Sequence, residues 1–133
     1  MTHRIAIWID HNEARAISLA DDLGHAPIAH LHAHDQHTHP KHGDGHRHPA
    51  DPRFLASVTE LIAKADEVAL LGPAGAKEEL IAHIESAQPL LRPRVVAVGT
   101  MDRVTEGELA THARELLSRS DRMHGVPVVP PRR

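Results

Sequence analysis

Histidine sets the chemistry open to this chain. Fourteen of its 133 residues are His, and nine of those lie between His25 and His48. On a β-strand, residues i and i+2 share a face about 6.8 Å apart. His30, His32 and His34 alternate with Ala29, Leu31 and Ala33 in that way, so neighbouring imidazoles can converge on one ion. His37, His39, His42, His46 and His48 add ligands at short, irregular spacings, and Asp35 or Asp44 could complete a shell. Neutral imidazole suits zinc, nickel and copper, which makes a divalent transition metal, zinc or nickel, the cofactor such a segment would take. Two other readings compete: a solvated insert that takes up metal as any His-rich tract does, and a sensor of pH. No helical His-Glu-x-x-His pattern is present, so nothing here marks a catalytic metal.

A second group is Gly72-Pro73-Ala74-Gly75-Ala76-Lys77, set between an apolar run and a helical period. A nucleotide-binding loop needs four residues between its first Gly and a Gly-Lys pair, and a Ser or Thr after the Lys. Here Ala76 precedes Lys77 and Glu78 follows it, so the segment reads as a tight strand-to-helix turn with Lys77 offered to a phosphate or an acidic partner. Asp10-His11-Asn12-Glu13 gathers polar groups at a hairpin tip, where turn chemistry accounts for Asp and Asn without catalysis. His83 and His112 lie beside apolar stripes, where a helix-flank or satisfied core role outweighs ligation.

Composition narrows the classes further. The chain is 41% hydrophobic but only 2% aromatic, with a single Trp, so its core must be aliphatic and the composition argues against a base-stacking platform. The absence of Cys rules out disulfides, Cys-zinc sites and thiol nucleophiles. The net charge of -3 argues against broad RNA binding, although Arg92 with Arg94, and Arg114, Arg119 and Arg122, are local groups that could meet phosphate. With all 14 His protonated the charge would be +11, so net charge depends on pH. The first residues lack the pattern of a signal peptide, and no run approaches the roughly 18 apolar residues of a membrane span. A cytoplasmic protein with no membrane contact and no sequence-specific nucleic acid is expected.

The elements that would position these groups follow from periodicity. Residues 4–10, 14–20 and 27–34 alternate as three strands of a meander, and residues 35–49, with Pro40, Gly43, Gly45 and Pro49, form a His-rich insert. Asp51 and Pro52 open a helix whose stripe is Phe54, Leu55, Val58, Leu61 and Ile62. Residues 67–71 form a buried strand, 75–87 a helix and 94–99 another buried strand. Thr105 and Glu108 make a capping box for a last helix that buries Leu109, Ala113, Leu116 and Leu117. The expected fold is α/β: a three-layer α/β/α sandwich with a mixed central sheet, an N-terminal β-meander followed by β/α units. Residues 1–119 form one domain and residues 120–133 a tail containing Pro and Arg.

Several of these residues together resemble a known family. Trp8-Ile9-Asp10-His11 with Ala14, the His-studded stretch, residues 71–80, Arg94-Val95-Val96-Ala97-Val98 and residues 102–109 are similar to small bacterial proteins labelled translational machinery protein. Those proteins are similar in turn to the third domain of archaeal and eukaryotic class-one release factors and of Pelota. Gly72, Pro73 and Lys77 match the Gly-Pro-Gly-x-x-Lys turn of that domain, with Ala74 in place of its second Gly. The resemblance implies a docking domain for protein partners or the ribosome, with Gly72, Pro73, Gly75 and Lys77 at the partner surface. The Gly-Gly-Gln loop that triggers peptidyl-tRNA hydrolysis belongs to another domain, and no Gly-Gly pair occurs here. A non-enzymatic binding module is therefore the leading expectation. A metal-binding or metal-buffering protein is the alternative, and a hydrolase using Asp10, His11 or a bound metal comes third. Self-association into a homo-oligomer is left open.

Overall fold

Every residue after Arg4 in strand β1 (Arg4–Ile9) is apolar, the pattern of a strand covered on both sides, and β1 lies at the centre of a five-stranded sheet. The computed structural model describes residues 3–20, 24–33, 51–103 and 105–124. β1 pairs antiparallel with β2 (Glu13–Leu19), which pairs antiparallel with β3 (His25–His32). On its other side β1 runs parallel to β4 (Glu67–Gly72), and β4 runs parallel to β5 (Val95–Thr100). The order β3-β2-β1-β4-β5 is the mixed sheet that the change from alternating to helical period predicts.

Two aliphatic clusters sit on opposite faces of the sheet. Ile5, Ile7, Ile9, Val68 and Leu70 meet Phe54, Leu55, Val58 and Ile62 of α1 (Pro52–Ala63) and Leu80 and Ile84 of α2 (Ala76–Ala87). Ala6, Trp8, Ala69 and Leu71 meet Leu109, Ala113 and Leu117 of α3 (Glu106–His124). The result is a three-layer α/β/α sandwich. Asp51 accepts from the Arg53 N–H at 2.9 Å and so caps α1. Thr105 and Glu108 form the expected reciprocal box, Glu108 N donating to Thr105 Oγ1 at 3.1 Å and Thr105 N to Glu108 Oε1 at 3.0 Å.

The structure departs from the sequence pattern in three places. β3 begins at His25, two residues early, and the β2–β3 register shifts between Ala16 and Ile17, where the partner strand carries Pro27, which has no N–H to donate. A 3-10 helix (Pro89–Arg94) precedes β5. It is anchored by buried Leu91 and by Arg94 Nη1, which donates to the Ala63 and Ala65 carbonyls at 2.8 and 2.9 Å. Helix α3 continues to His124, past the residue where the tail was expected to begin. Ser120 Oγ holds that last stretch to the Val96 carbonyl at 3.0 Å, and Asp121 holds it to Arg4.

Candidate functional site

The β2–β3 register brings together groups that lie far apart in sequence. Glu13 stands opposite His32 and Arg15 opposite His30, on the face that carries Trp8. Glu13 is 5% exposed. His30 Nε2 lies 2.6 Å from Glu13 Oε1, Arg103 donates to Oε2, and Arg15 Nε is 3.8 Å from Oε1. The His30 and His32 rings are 4.5 Å apart between centroids. One ligand atom from each of Glu13, His30 and His32 falls within 4.8 Å of the others. Burial pushes the Glu13 carboxyl upward, but the hydrogen bond from His30 and the charges of Arg103 and Arg15 outweigh it and hold the group below the usual carboxylate range. Glu13 is therefore a carboxylate at neutral pH, with one imidazole and two guanidiniums around it.

Arg103 also lies over Trp8, its Cζ 5.9 Å from the ring centroid, while the Trp8 indole N–H donates to the Met101 and Asp102 carbonyls. Arg15 Nε is buried without a hydrogen bond among the described residues. Of the predicted metal ligands, His30 and His32 thus meet a carboxylate. His34, His37, His39, His42, His46 and His48, with Asp35 and Asp44, lie outside the described residues. Glu13 and Arg103 were not expected here. The alternation of β2 against β3 could have pointed to Glu13, but Arg103 lies 90 residues away and leaves no local trace.

The second candidate, the turn from Gly72 to Lys77, is shaped by close packing. Gly72 has φ 141°, and a Cβ there would run into the Ile9 carbonyl oxygen. Gly75 has φ 100°, and a Cβ would lie 3.2 Å from His11 Cε1. His11 reaches across to Glu79, Nε2 to Oε2 3.3 Å, so the β1–β2 hairpin tip and the start of α2 form one surface. Lys77 corrects the expectation of a surface ammonium. It is 4% exposed, and Nζ donates inward to the Gly72 carbonyl at 2.7 Å and to Thr100 Oγ1 at 3.3 Å. Pro73 and Gly75 are half-buried and Ala74 is exposed, so the apolar rim of the turn faces outward.

Other groups have structural work. Asp10 Oδ1 accepts from the backbone of Asn12 and Glu13, both at 2.8 Å, closing the hairpin tip as a turn. Arg92 donates to the Val95 carbonyl at 3.1 Å, and Arg114 to the carbonyls of Ala20 and Gly24. Together with Arg94, these arginines are tied to backbone, and the phosphate contacts envisaged for them would have to compete with those bonds. His83 is half-buried, and His112 is exposed 4.0 Å from Glu115. No helix among the described residues is long and apolar enough to cross a membrane.

Neither a protein-family model nor a curated protein matches the chain. Solved structures do match. Pelota from Archaeoglobus fulgidus, whose crystal structure reveals inter-domain structural plasticity, superposes with a TM-score of 0.60 at 13% identity, over 90% of this chain and 33% of that one. An archaeal protein superposes with a TM-score of 0.52 at 12% identity, over 88% of this chain and 38% of that one. The chain thus shares a fold with a part of Pelota and spans about a third of its length.

Proposed function

We propose that this chain is a non-enzymatic docking module of the translation-factor kind, binding a protein or ribosomal partner through the surface made by the β1–β2 tip and the Gly72–Gly75 turn. The observation that carries the reading is the likeness to Pelota across 90% of the chain. The site supports it in a specific way. Lys77 is buried beneath the turn and bonded to its first carbonyl, so the turn is held from inside and presents Pro73, Ala74 and the hairpin tip as a preorganised surface. The module contains no Gly-Gly-Gln loop and works by contact.

Co-sedimentation of the full chain with ribosomes at low salt tests this. The exposed Ala74→Glu places a charge on the rim without touching the Lys77 bonds and should abolish retention, with the circular dichroism spectrum unchanged. Equal recovery of both proteins in the pellet, or of neither, counts against the docking surface.

A second reading is favoured by one observation, the convergence of Glu13, His30 and His32. In it the His-rich segment takes up a divalent transition metal, zinc or nickel, with this trio as its ordered end. Titration calorimetry with zinc on the full chain, beside His32→Ala, tests that reading; uptake identical in stoichiometry and heat would remove the trio from it.

A further inference from the structure

We infer that a divalent cation of the zinc class, held by Glu13, His30 and His32, displaces Arg103 from the Glu13 carboxylate, so that this site exchanges metal for arginine. The inference rests on the metal-binding reading and adds what regulates occupancy of that site. One carboxylate oxygen and two imidazole nitrogens are a set that zinc accepts while keeping a fourth position open. Bonds of about 2.0–2.2 Å put tetrahedral ligands roughly 3.3 Å apart. The Glu13 Oε1 to His30 Nε2 distance of 2.6 Å must therefore open by under about 1 Å, as the ion replaces the hydrogen shared between them.

Charge decides what else must move. The Glu13 carboxylate already faces two guanidiniums, Arg103 on Oε2 and Arg15 3.8 Å from Oε1. A dication added to that arrangement meets two positive neighbours and one negative one, in a place where Glu13 itself is nearly removed from water. Arg15 is fixed on the paired strand β2, with Nε buried. Arg103 is different: its side chain is 58% exposed and springs from the connection between β5 and α3, so it can turn out to solvent without breaking a strand pair. A groove of about 290 Å³, lined by His30, His32, Arg53 and Phe54 among others, runs beside the two imidazoles, both of them exposed. Arg103 is also the cation over Trp8, the single Trp of the chain, so its departure changes the environment of the one indole fluorophore.

The experiment uses the full chain with His34, His37, His39, His42, His46 and His48 replaced by Asn, which removes the remaining imidazoles of the insert. Zinc is titrated at about pH 7.5, where imidazoles are mostly neutral, with heat and Trp8 emission followed together. One zinc per chain is expected, with an emission change saturating at the same stoichiometry. His32→Ala, an exposed position, should abolish both signals. Arg103→Ala should bind zinc about five-fold tighter, the scale of one lost competing ion pair, and without the emission change. Zinc binding that needs His32 but is unaltered in affinity by Arg103→Ala overturns the exchange and leaves the metal reading standing. Failure of the Asn-substituted chain to bind zinc, with its fold intact by circular dichroism, overturns the exchange, and the wider metal reading falls only if the unsubstituted chain takes up none either.

Discussion

Glu13 is the residue on which the polar side of the sheet turns. With its carboxyl held below the ordinary value of 4.5, the folded state binds a proton there less readily than the unfolded chain does. The stabilisation is therefore complete above the unfolded value and is lost as pH falls through the lower folded value. Urea unfolding in the presence of chelator should show Glu13→Gln destabilised near neutral pH by about 1–3 kcal/mol, the scale of charge-assisted bonds lost from a buried acceptor. The gap between wild type and variant should close progressively below about pH 4.5. A gap that persists undiminished to pH 3 would assign the loss to packing. Gly72 gives a second test at this scale. Its positive φ and the nearness of the Ile9 carbonyl leave no room for a Cβ, and neither can relax without moving β1. At Gly99 the added Cβ meets Leu116 Cδ1 at 2.6 Å, the far end of a side chain that can rotate. Gly72→Ala should lower the urea midpoint several times further than Gly99→Ala, and equal midpoints would contradict the packing argument. The turn glycines were legible from sequence because chain reversal demands them. The ion pair of Glu13 with Arg103 was not, because it depends on how α3 is docked.

Elements were legible where local rules decide them. Asp51 before Pro52, and Thr105 three residues before Glu108, announce helix starts through bonds that close within three residues, and both caps form as expected. Asp51→Ala and Thr105→Ala should each cost about 1 kcal/mol. Because the caps serve helices on opposite faces of the sheet and share no partner, the double variant should lose the sum; a clear departure from additivity in urea unfolding would mean that the two layers are coupled through the sheet. Where tertiary contacts decide, sequence was silent. Nothing in residues 89–94 announces a 3-10 helix, whose hold is the bonding of Arg94 to the end of α1, about thirty residues away. Lys77 shows the same limit, since a Lys after a Gly-rich turn reads as exposed until the neighbouring strand brings Thr100 beside it.

At the scale of the whole molecule, the sandwich separates two kinds of behaviour. The parallel strands β1, β4 and β5 and their turns make a surface whose form is set mainly by buried bonds and only at the His11–Glu79 contact by pH. The charge of the molecule depends on pH, from -3 with neutral imidazoles towards +11 with all of them protonated, and nine of the 14 His belong to β3 and the segment that follows it. Imidazoles titrate near pH 6.5, so most of that change falls between about pH 7.5 and pH 6. Docking by shape and non-specific attraction to polyanions are consequently separable in one protein. Filter binding to an RNA of unrelated sequence should be weak at about pH 7.5 and appear at about pH 6, falling steeply between about 50 and 200 mM salt as the release of phosphate-bound counterions gains less. Replacing His34, His37, His39, His42, His46 and His48 by Asn should remove that component, while ribosome retention at pH 7.5 through the Ala74 rim is unchanged. RNA binding of equal strength at both pH values would mean that a fixed basic surface carries it. The arginines bonded to the backbone would then have to be released to supply that surface, against the bonds that hold α3 to the β2–β3 turn and α1 to the 3-10 helix.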